Sequence, residues 1–339
     1  MSSVEFACIG SLREDYALLF SGEARLRELG GSAVYAAAGA KVWTPWVGLV
    51  ARVGANFPAA WLTKLRERGL DIEGIKVLPD AQDTRAFYAY LSLENRAETD
   101  PATHFARVGL PLPAELAGYV PLSGQPLEPD KFGPLAVRPG DVPSSYLHAH
   151  GFHFAPDEFM VHNTLPGRMR HQGVGCITCD PDQRYMQPAM AEKVRLMVRG
   201  LDAFLPSEAE ARAFFATTAG APPMDLWQAA EAFGAMGTKS VVVKSGARGQ
   251  LIYDAEAKRK WHVPAYPAKV RDLTGAGDAY CGGFLVGLVQ THDPVEAAVR
   301  GGVSASIVIE GRGAFYALDS TPGLAEARAR ALRDQVQRI

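Results

Sequence analysis

A glycine-rich turn near the C-terminal end of the chain is the feature whose residues could do chemistry. It reads Asp272-Leu273-Thr274-Gly275-Ala276-Gly277-Asp278 and continues into small, apolar residues. Such residues predict a helix start at which the N–H groups of Gly275, Ala276 and Gly277 converge on an anion. Asp278 would accept the proton of a hydroxyl that attacks a bound phosphate. The pattern therefore indicates phosphoryl transfer, with a plain helix cap at Asp278 as the alternative.

The other common sequence motifs for phosphates, cofactors and hydrolysis are absent. No Gly-Lys dipeptide occurs, so there is no P-loop, and no G-x-G-x-x-G favours dinucleotide binding. Neither G-x-S-x-G nor H-E-x-x-H is present. Any phosphate must therefore be bound by another device, and the turn at residues 272–278 can provide it.

Histidines and cysteines offer two rival sites. His148 and His150 are predicted to share one face of a strand end, a spacing that metal hydrolases use, with His153 nearby. The alternative is a strand that enters a cleft, where His150 or His153 contacts substrate. Cys176 and Cys179 would face opposite sides of a strand, which is poor geometry for a disulfide or a metal. We therefore expect them to be buried, unpaired thiols.

Strands and helices that alternate along the chain must position these residues. The alternation predicts a three-layer α/β/α domain with a mainly parallel central sheet. The predicted strands are 4–9, 46–53, 87–93, 146–149, 176–180, 201–205 and 240–244, followed by a hairpin of 249–253 with 261–263. The predicted helices are 30–41, 58–69, 190–200, 207–215, 225–237, 278–289, 294–302 and a last one from Leu324.

The segment 101–143 departs from this alternation. It holds nine of the 23 prolines and shows no helical period. Long segments without secondary structure are commonly lids or disordered. We interpret it as an insertion into a single domain that spans residues 1–339.

Composition narrows the class of protein further. The 339 residues carry 35 Lys and Arg against 37 Asp and Glu, a net charge of −2, which argues against a nucleic-acid or membrane-surface partner. Four cysteines do not form a disulfide framework, and the N-terminal residues do not resemble a signal peptide. No apolar run approaches the length of a membrane span. We expect a cytoplasmic α/β enzyme.

The turn and its surroundings resemble the ribokinase-like, or PfkB, family of carbohydrate and nucleoside kinases. The resemblance covers nearly the whole chain, because further family marks occur in the family's order. They are Gly10-Ser11 with Asp15, Gly30-Gly31 before an Ala-rich helix, residues 48–54, Thr84-Arg85, Ser207-Glu208-Ala209-Glu210, residues 243–249 and Gly311-Arg312-Gly313-Ala314.

The resemblance implies roles for individual residues. It implies that Asp278 is the catalytic base and that Gly275, Ala276 and Gly277 form the anion hole. It implies an acceptor site built from Asp15, Gly30, Gly31, Tyr35, Arg85 and His150. It implies an ATP site lined by Ser207, Lys244, Gly246, Gly249 and Gly313. For metals, it implies Mg²⁺ held through water by Glu210, and a monovalent cation such as K⁺ at Asp272 and Thr274.

Three positions depart from the family's pattern. Leu273 precedes Thr274 where the family has threonine after the aspartate. Tyr35 stands where an asparagine commonly contacts a sugar, so the acceptor is expected to differ from ribose or fructose. Ser207 replaces an asparagine and shortens the reach toward metal-bound water, which leaves Glu210 as the firmer prediction.

The resemblance also implies a small β-sheet lid, built from about residues 12–30 and 82–110, with the proline-rich segment appended. A kinase must exclude water from the transferring phosphate, which gives such a lid a purpose. An exposed lid sheet could pair with a second copy, so a homodimer through the lid is a further expectation.

Several functions remain open from the sequence. The first is an ATP- and Mg²⁺-dependent kinase for a hydroxyl of a sugar or sugar-like alcohol. The second is a nucleoside kinase of the same fold, in which Tyr35 and Phe87 stack on a base. The third is a sugar-binding regulatory protein that does not turn over, and the fourth is a metal hydrolase built on the histidines.

Overall fold

Two β-sheets organise the chain in this computed structural model, which describes residues 4–93, 95–216 and 224–339. In these ranges the strands are β1 (Phe6–Ile9), β2 (Arg13–Leu18), β3 (Ala24–Gly30), β4 (Val47–Val53), β5 (Asp71–Val77), β6 (Arg85–Tyr90), β7 (Arg96–Ala97), β8 (Gly151–Phe154), β9 (Cys176–Cys179), β10 (Ala203–Phe204), β11 (Ser240–Lys244), β12 (Gln250–Asp254), β13 (Arg259–Val263) and β14 (Gln337–Arg338).

Helices cover the larger sheet on both faces. Those in the described ranges are α1 (Ser32–Lys41), α2 (Ala59–Glu67), α3 (Pro101–Arg107), α4 (Phe159–His171), α5 (Ala191–Met197), α6 (Glu208–Phe214), α7 (Leu226–Ala235), α8 (Ala276–Thr291), α9 (Pro294–Val308) and α10 (Leu324–Arg333). Within the described residues, no helix is both long enough and apolar enough to cross a bilayer.

The larger sheet has the strand order β14-β13-β12-β11-β10-β9-β8-β1-β4-β5. All neighbouring pairs from β11 to β5 are parallel, and the pairs from β11 to β14 are antiparallel. One buried cluster lies beneath α1, α8 and α9, and another lies beneath α4, α5 and α7. The predicted three-layer α/β/α architecture with a mainly parallel sheet is confirmed.

The central strand of the domain is not where the sequence pattern put it. Residues 146–149 were predicted as a strand, but Ser144–His148 form a 3₁₀ helix, and the strand is β8 at Gly151–Phe154. A Cβ at Gly151 would lie 2.9 Å from Leu285 Cδ1, because α8 packs closely on β8.

The smaller sheet has the order β3-β2-β6-β7 and lies beside the glycine-rich turn. Its outer face carries Tyr16, Leu18 and Phe87, and its inner face carries Ala17, Leu19 and Tyr90, which pack with Leu273 of the turn. Alternation along a strand places these two sets on opposite faces. The inner face of the smaller sheet therefore covers the turn at residues 272–278.

The proline-rich insertion (residues 101–143) covers the outer face of the smaller sheet. It begins with α3, where Asp100 caps the first turn by accepting from Thr103 N at 3.3 Å, so the expectation of no helix was wrong. Phe105 and Leu116 pack against the outer face. At its far end, Arg52 of β4 donates to Asp141 at 2.6 and 3.1 Å. The insertion thus joins the smaller sheet to the larger one.

Truncating Phe105 tests this cover. The side chain is fully buried, so Phe105→Ala should lower the free energy of unfolding by about 3–5 kcal/mol. The measurement is denaturant unfolding, together with trypsin cleavage at the basic residues of the insertion. Leu112→Ala is the control, because Leu112 is 38% exposed and should change stability by no more than about 0.5 kcal/mol. Equal stability of the two variants would contradict the packing described.

Candidate active site

The turn before α8 presents unpaired N–H groups. Gly275 has φ +75° and is the N-cap of α8, and a Cβ there would lie 2.0 Å from Tyr35 Cγ. The N–H groups of Gly275, Gly277 and Asp278 have no acceptor among the described residues. That of Ala276 donates to Leu273 O at 3.2 Å and closes the turn, so it is not free for an anion as the sequence suggested. The three free N–H groups form an anion-binding corner.

Asp278 lies in the first turn of α8 beside these N–H groups. Its carboxylate has no hydrogen bond or ion pair with any residue in the described part of the chain. Burial raises the pKa of Asp278 to about 7, although Lys244 and Arg96 lower it. A carboxyl group with such a pKa can take a proton near neutral pH, as a general base requires.

Lys244 stands at the end of β11 and faces the same corner. Its Nζ forms an ion pair with Asp180, the residue that follows β9, and lies 3.5 Å from Cys281 Sγ. A Cβ built on Gly277 would be 3.7 Å from Lys244 Nζ, so the ammonium lies next to the free N–H groups. The corner thus combines backbone donors with one cationic side chain.

Asp180 is a site residue that the sequence analysis missed. Burial raises its pKa to about 6, while Lys244 lowers it. Its one sequence signal is its place directly after a buried parallel strand, where the carboxyl edge of an α/β sheet forms its sites. Nothing local identified Lys244 as its partner, since 64 residues separate the two.

Glu210 and Ser207 form a capping box at the start of α6. Ser207 N and Oγ both donate to Glu210 Oε2 at 2.7 Å, and Glu210 N donates to Ser207 Oγ at 3.2 Å. Burial, together with the charge of Asp180, raises the pKa of Glu210 to about 7. The spacing Ser-x-x-Glu is itself the sequence signal for this motif. Glu210 Oε1 has no partner among the described side chains, which leaves it able to accept from a metal-bound water.

Asp15 lies on the other side of Asp278, on β2. It is 1% exposed, and neither carboxylate oxygen has a hydrogen-bond partner within the described residues. Burial raises its pKa to about 7, and its charge is among those that raise the pKa of Asp278. Because buried carboxylates are normally satisfied, these oxygens are explained best by a ligand that carries hydroxyl groups.

Gly30, Gly31 and Tyr35 complete this wall. A Cβ at Gly30 would lie 1.8 Å from Asp15 Oδ2, and one at Gly31 would lie 2.4 Å from Ser11 O. The Tyr35 hydroxyl is buried and lies close to the Arg25 guanidinium, without a hydrogen bond of good geometry to any described residue. The structure therefore brings together four of the residues expected to contact the acceptor.

Arg85 and His150 do not join them. The Arg85 guanidinium donates to Asp83 at 2.8 and 2.6 Å and to the insertion at Glu115 O, so it anchors the insertion. His150 precedes β8 and so lies at the amino ends of the parallel strands, whereas Asp180 follows β9 at their carboxyl ends. The His150 ring packs edge-to-face on Phe6. Both were predicted to contact substrate, and both lie in structural roles instead, because sequence position does not tell which end of a strand a residue occupies.

The histidine metal site is also not formed. His148 belongs to a 3₁₀ helix, and His153 lies in mid-strand with its Nδ1 2.9 Å from Thr178 Oγ1. Among the described residues, no group of three or more His, Cys, Asp or Glu side chains could hold a metal ion. All four cysteines are free; Cys179 is buried as expected, whereas Cys176 is only partly buried.

Two aromatic residues of β6 differ from the sequence expectation. Phe87 was expected to stack on a base, but it is fully buried on the outer face, against Phe105. Its neighbour Tyr88 faces inward instead, with the Arg96 guanidinium 5.0 Å above its ring. Arg96 lowers the pKa of Asp278 and was missed by the sequence analysis. The insertion decides which face of β6 is buried, and the sequence of β6 alone does not reveal which face that is.

The remaining predicted residues surround the corner. Gly246 and Gly249 have φ +56° and +86° in the turn after β11, and a Cβ at Gly249 would lie 2.2 Å from Val263 O. A Cβ at Gly313 would lie 3.5 Å from Arg25 Nη2. Asp272 and Thr274 are buried. Asp272 forms an ion pair with Arg25, a residue that the sequence analysis did not single out.

Comparison with known proteins identifies what this arrangement resembles. The family model described as pfkB family carbohydrate kinase matches residues 163–321. A cytidine kinase of Thermococcus kodakarensis is 27% identical over 306 residues, which is 88% of this chain and 94% of that protein.

Solved structures share the fold. The adenosine kinase of Sinorhizobium meliloti superposes with a TM-score of 0.69 at 18% identity, covering 98% of this chain and all of that chain. An Escherichia coli protein described as a ribokinase II, solved with ATP and Mg²⁺, gives a TM-score of 0.67 at 20% identity, covering 96% and 99%.

Removing Lys244 tests the charge arrangement without reference to activity. Lys244→Met leaves Asp180 buried without its cation, which should lower the free energy of unfolding by about 3–5 kcal/mol at pH 8. The folded-state pKa of Asp180 is raised and rises further in the variant. A carboxyl group with a raised folded-state pKa contributes stability at low pH, and this contribution is lost as the pH rises through that pKa. The difference in unfolding free energy between the variant and the wild type should therefore grow from about pH 5 to pH 8.

The matched control is the double variant Lys244→Met with Asp180→Asn, measured by urea unfolding across the same pH range. It has no charge to bury, so it should recover most of the loss and show no growth of the deficit with pH. If the single and double variants are equally stable at every pH, the ion pair is not what balances Asp180.

Proposed function

We propose that this chain, which matches the pfkB family carbohydrate kinase model over residues 163–321, is a kinase of that family and transfers the γ-phosphoryl group of ATP to a hydroxyl of a sugar or nucleoside. One observation carries the proposal. Three unpaired N–H groups at the start of α8 lie beside an unpaired carboxylate, that of Asp278, whose pKa burial raises to about 7. An anion site and a general base side by side are what direct transfer to a hydroxyl requires.

The proposed reaction assigns each group one task. Asp278 takes the proton from the acceptor hydroxyl as its oxygen attacks the γ-phosphorus. The new oxygen–phosphorus bond forms while the bond from the γ-phosphorus to the bridging oxygen breaks, and ADP leaves with that electron pair. The N–H groups of Gly275 and Gly277, with the Lys244 ammonium, stabilise the charge on the transferring group. Protonated Asp278 then releases its proton to solvent.

ATP is proposed to lie across the carboxyl edge of the larger sheet, near Ser207, Lys244, Gly246, Gly249 and Gly313. Mg²⁺, when bound with ATP, would neutralise phosphate charge. The free oxygen of Glu210 suits a contact through metal-bound water, since Mg²⁺ keeps much of its hydration shell. Asp180 holds the Lys244 ammonium in place beside the corner.

The acceptor is proposed to lie between Asp278 and the smaller sheet. Asp15 would accept hydrogen bonds from its hydroxyls, Gly30 and Gly31 leave room for it, and the Tyr35 hydroxyl supplies a further polar contact. The inner face of the smaller sheet would act as the lid that excludes water. Arg85 and His150 have no part in this proposal.

A nucleoside is the second candidate acceptor, favoured by the inward-facing Tyr88 with Arg96 above its ring and by the similarity to a cytidine kinase. An aromatic ring on the acceptor side can stack on a base. A panel of free sugars, polyols, purine nucleosides and pyrimidine nucleosides, read by ADP release, would separate the candidates. Ligand-induced thermal stabilisation without ADP release across the whole panel would favour a non-catalytic binding protein.

Association and location follow as lesser proposals. We propose that a homodimer through the smaller sheet uses the edge of β3, where Leu26 is 47% exposed, because the insertion covers the outer face. Sedimentation at several concentrations tests it. Four free thiols fit a reducing compartment, so we propose a cytoplasmic enzyme.

Replacing the base tests the mechanism. Asp278→Asn should lower kcat by about 10²–10⁴-fold, because a positioned general base contributes that much. Binding of ATP, measured by calorimetry, should change little. Asp334→Asn, a change at an exposed aspartate directly after the last helix, should leave kcat unaltered. Activity of Asp278→Asn close to that of the wild-type protein would rule out the assigned role.

The pH profile gives a second test of the same group. Since the base must be deprotonated, kcat/KM should fall on the acid side of about pH 7, the pKa to which burial raises Asp278. Asp15 and Glu210 also titrate near pH 7, so the profile of the Asp278→Asn residual activity identifies the contribution of Asp278. An acid limb unchanged in that variant would assign it to the other carboxyl groups.

A further inference from the structure

A buried arginine of the smaller sheet reaches the glycine-rich turn. Arg25 lies on β3 and is only 3% exposed. Its Nη1 binds Asp272 Oδ2, while its Nε and Nη2 donate to Glu28 Oε2 at 2.9 and 2.6 Å. Arg25 and Asp272 are 247 residues apart in sequence, and the side chain of each is 2% exposed. A buried pair of this kind fixes one element on another, because separating it would strand a charge.

The atoms expected to hold a monovalent cation are already engaged. Asp272 Oδ2 accepts from Arg25, and Asp272 Oδ1 accepts from Thr274 N at 3.0 Å. The Thr274 hydroxyl lies 3.0 Å from the Tyr90 hydroxyl. The carboxylate therefore already has a full positive charge against it. These residues do not fit a bound K⁺, and the expectation of one at Asp272 and Thr274 is not supported by the geometry.

We propose that the Arg25 guanidinium takes the place of a monovalent cation and makes this enzyme independent of K⁺. The inference rests on the proposed function, since the turn that Arg25 braces carries Gly275 and Asp278. A guanidinium is always charged and is held by its own chain, so it needs no ion from solution. Arg25 is thus a positioning residue, acting through Asp272 on the N–H groups that bind the phosphate.

Two neighbouring features agree with this role. A Cβ on Gly313 would lie 3.5 Å from Arg25 Nη2 and 3.4 Å from Glu28 Oε2, so the loop after α9 closes over the guanidinium. In addition, the charges of Arg25 and Asp272 act on the acceptor wall, since Arg25 lowers and Asp272 raises the pKa of Asp15. Losing the guanidinium would therefore disturb both sides of the transferring phosphate.

The first test compares salts. Wild-type kcat, on the acceptor found by the panel, should agree within about twofold in KCl, NaCl and tetramethylammonium chloride at equal ionic strength, because no free cation completes the turn. An increase of about tenfold or more with K⁺ over tetramethylammonium, equivalent to about 1.4 kcal/mol in the barrier, would overturn the proposal.

The second test removes the guanidinium. Arg25→Ala should lose about 10²-fold or more in kcat in tetramethylammonium chloride, as expected when preorganised donors are loosened. K⁺ or guanidinium chloride should restore part of it, which a purely structural defect would not show. Arg27→Ala is the matched control, an arginine of the same strand with a side chain 59% exposed, and should behave like wild type in every salt. Equal salt responses of Arg25→Ala and wild type would overturn the proposal.

The third test needs no kinase activity, so it separates failure of this inference from failure of the proposed function. The melting temperature of unliganded Arg25→Ala should rise in K⁺ relative to tetramethylammonium, while that of wild type and Arg27→Ala should not. If Arg25→Ala does not fold, Arg25→Gln takes its place in the same comparison, because glutamine keeps part of the buried side chain but carries no charge against Asp272. A K⁺-dependent rise in the wild-type protein would contradict the proposal even without an acceptor.

Discussion

Burial of carboxylates around one site is the constraint on which the rest of the structure depends. Asp180, Glu210 and Asp278 lie at the larger sheet, and Asp15 lies on the smaller one. Burial raises the pKa of each into the range of about 6 to 7. Surface carboxyl groups titrate near 4, so all four depart from the ordinary value, although Asp15 and Asp180 are buried while Glu210 and Asp278 are partly exposed. A concentration of such groups in one place is a property of working sites.

The fold brings positive side chains and backbone N–H donors from distant parts of the chain to these carboxylates. The parallel strands end at a common edge, which brings Asp180 and Lys244 together from β9 and β11. The start of α8 adds backbone donors at the same place, and the smaller sheet adds Arg25 to Asp272. Each positive group is therefore delivered by a different element. The smaller sheet is in this sense part of the site, held over the turn by an ion pair on one side and by the insertion on the other.

What the sequence predicted well was local. The glycine-rich turn, the start of a helix at Ser207, and the alternation of strands and helices depend on neighbouring residues, and the structure places them as expected. Asp15 and Tyr35 also lie at the site, and neither carboxylate oxygen of Asp15 has a hydrogen-bond partner among the described residues.

What the sequence could not predict depends on contacts between distant residues. Phe87 faces outward because the insertion covers that side of β6. His150 lies at the wrong end of β8 because the strand starts after it. Asp180 and Arg25 matter through partners 64 and 247 residues away, and no spacing within the chain reveals either pair.

The most direct measurement of the central claim follows the phosphoryl group itself. The protein is mixed with ATP labelled in its γ-phosphate and with the acceptor, and a single turnover is quenched in acid. The account predicts that label passes to the acceptor hydroxyl as fast as ADP appears, with none on the protein. Label on the protein, or release of free phosphate at the same rate without acceptor, would contradict direct transfer at the Asp278 corner.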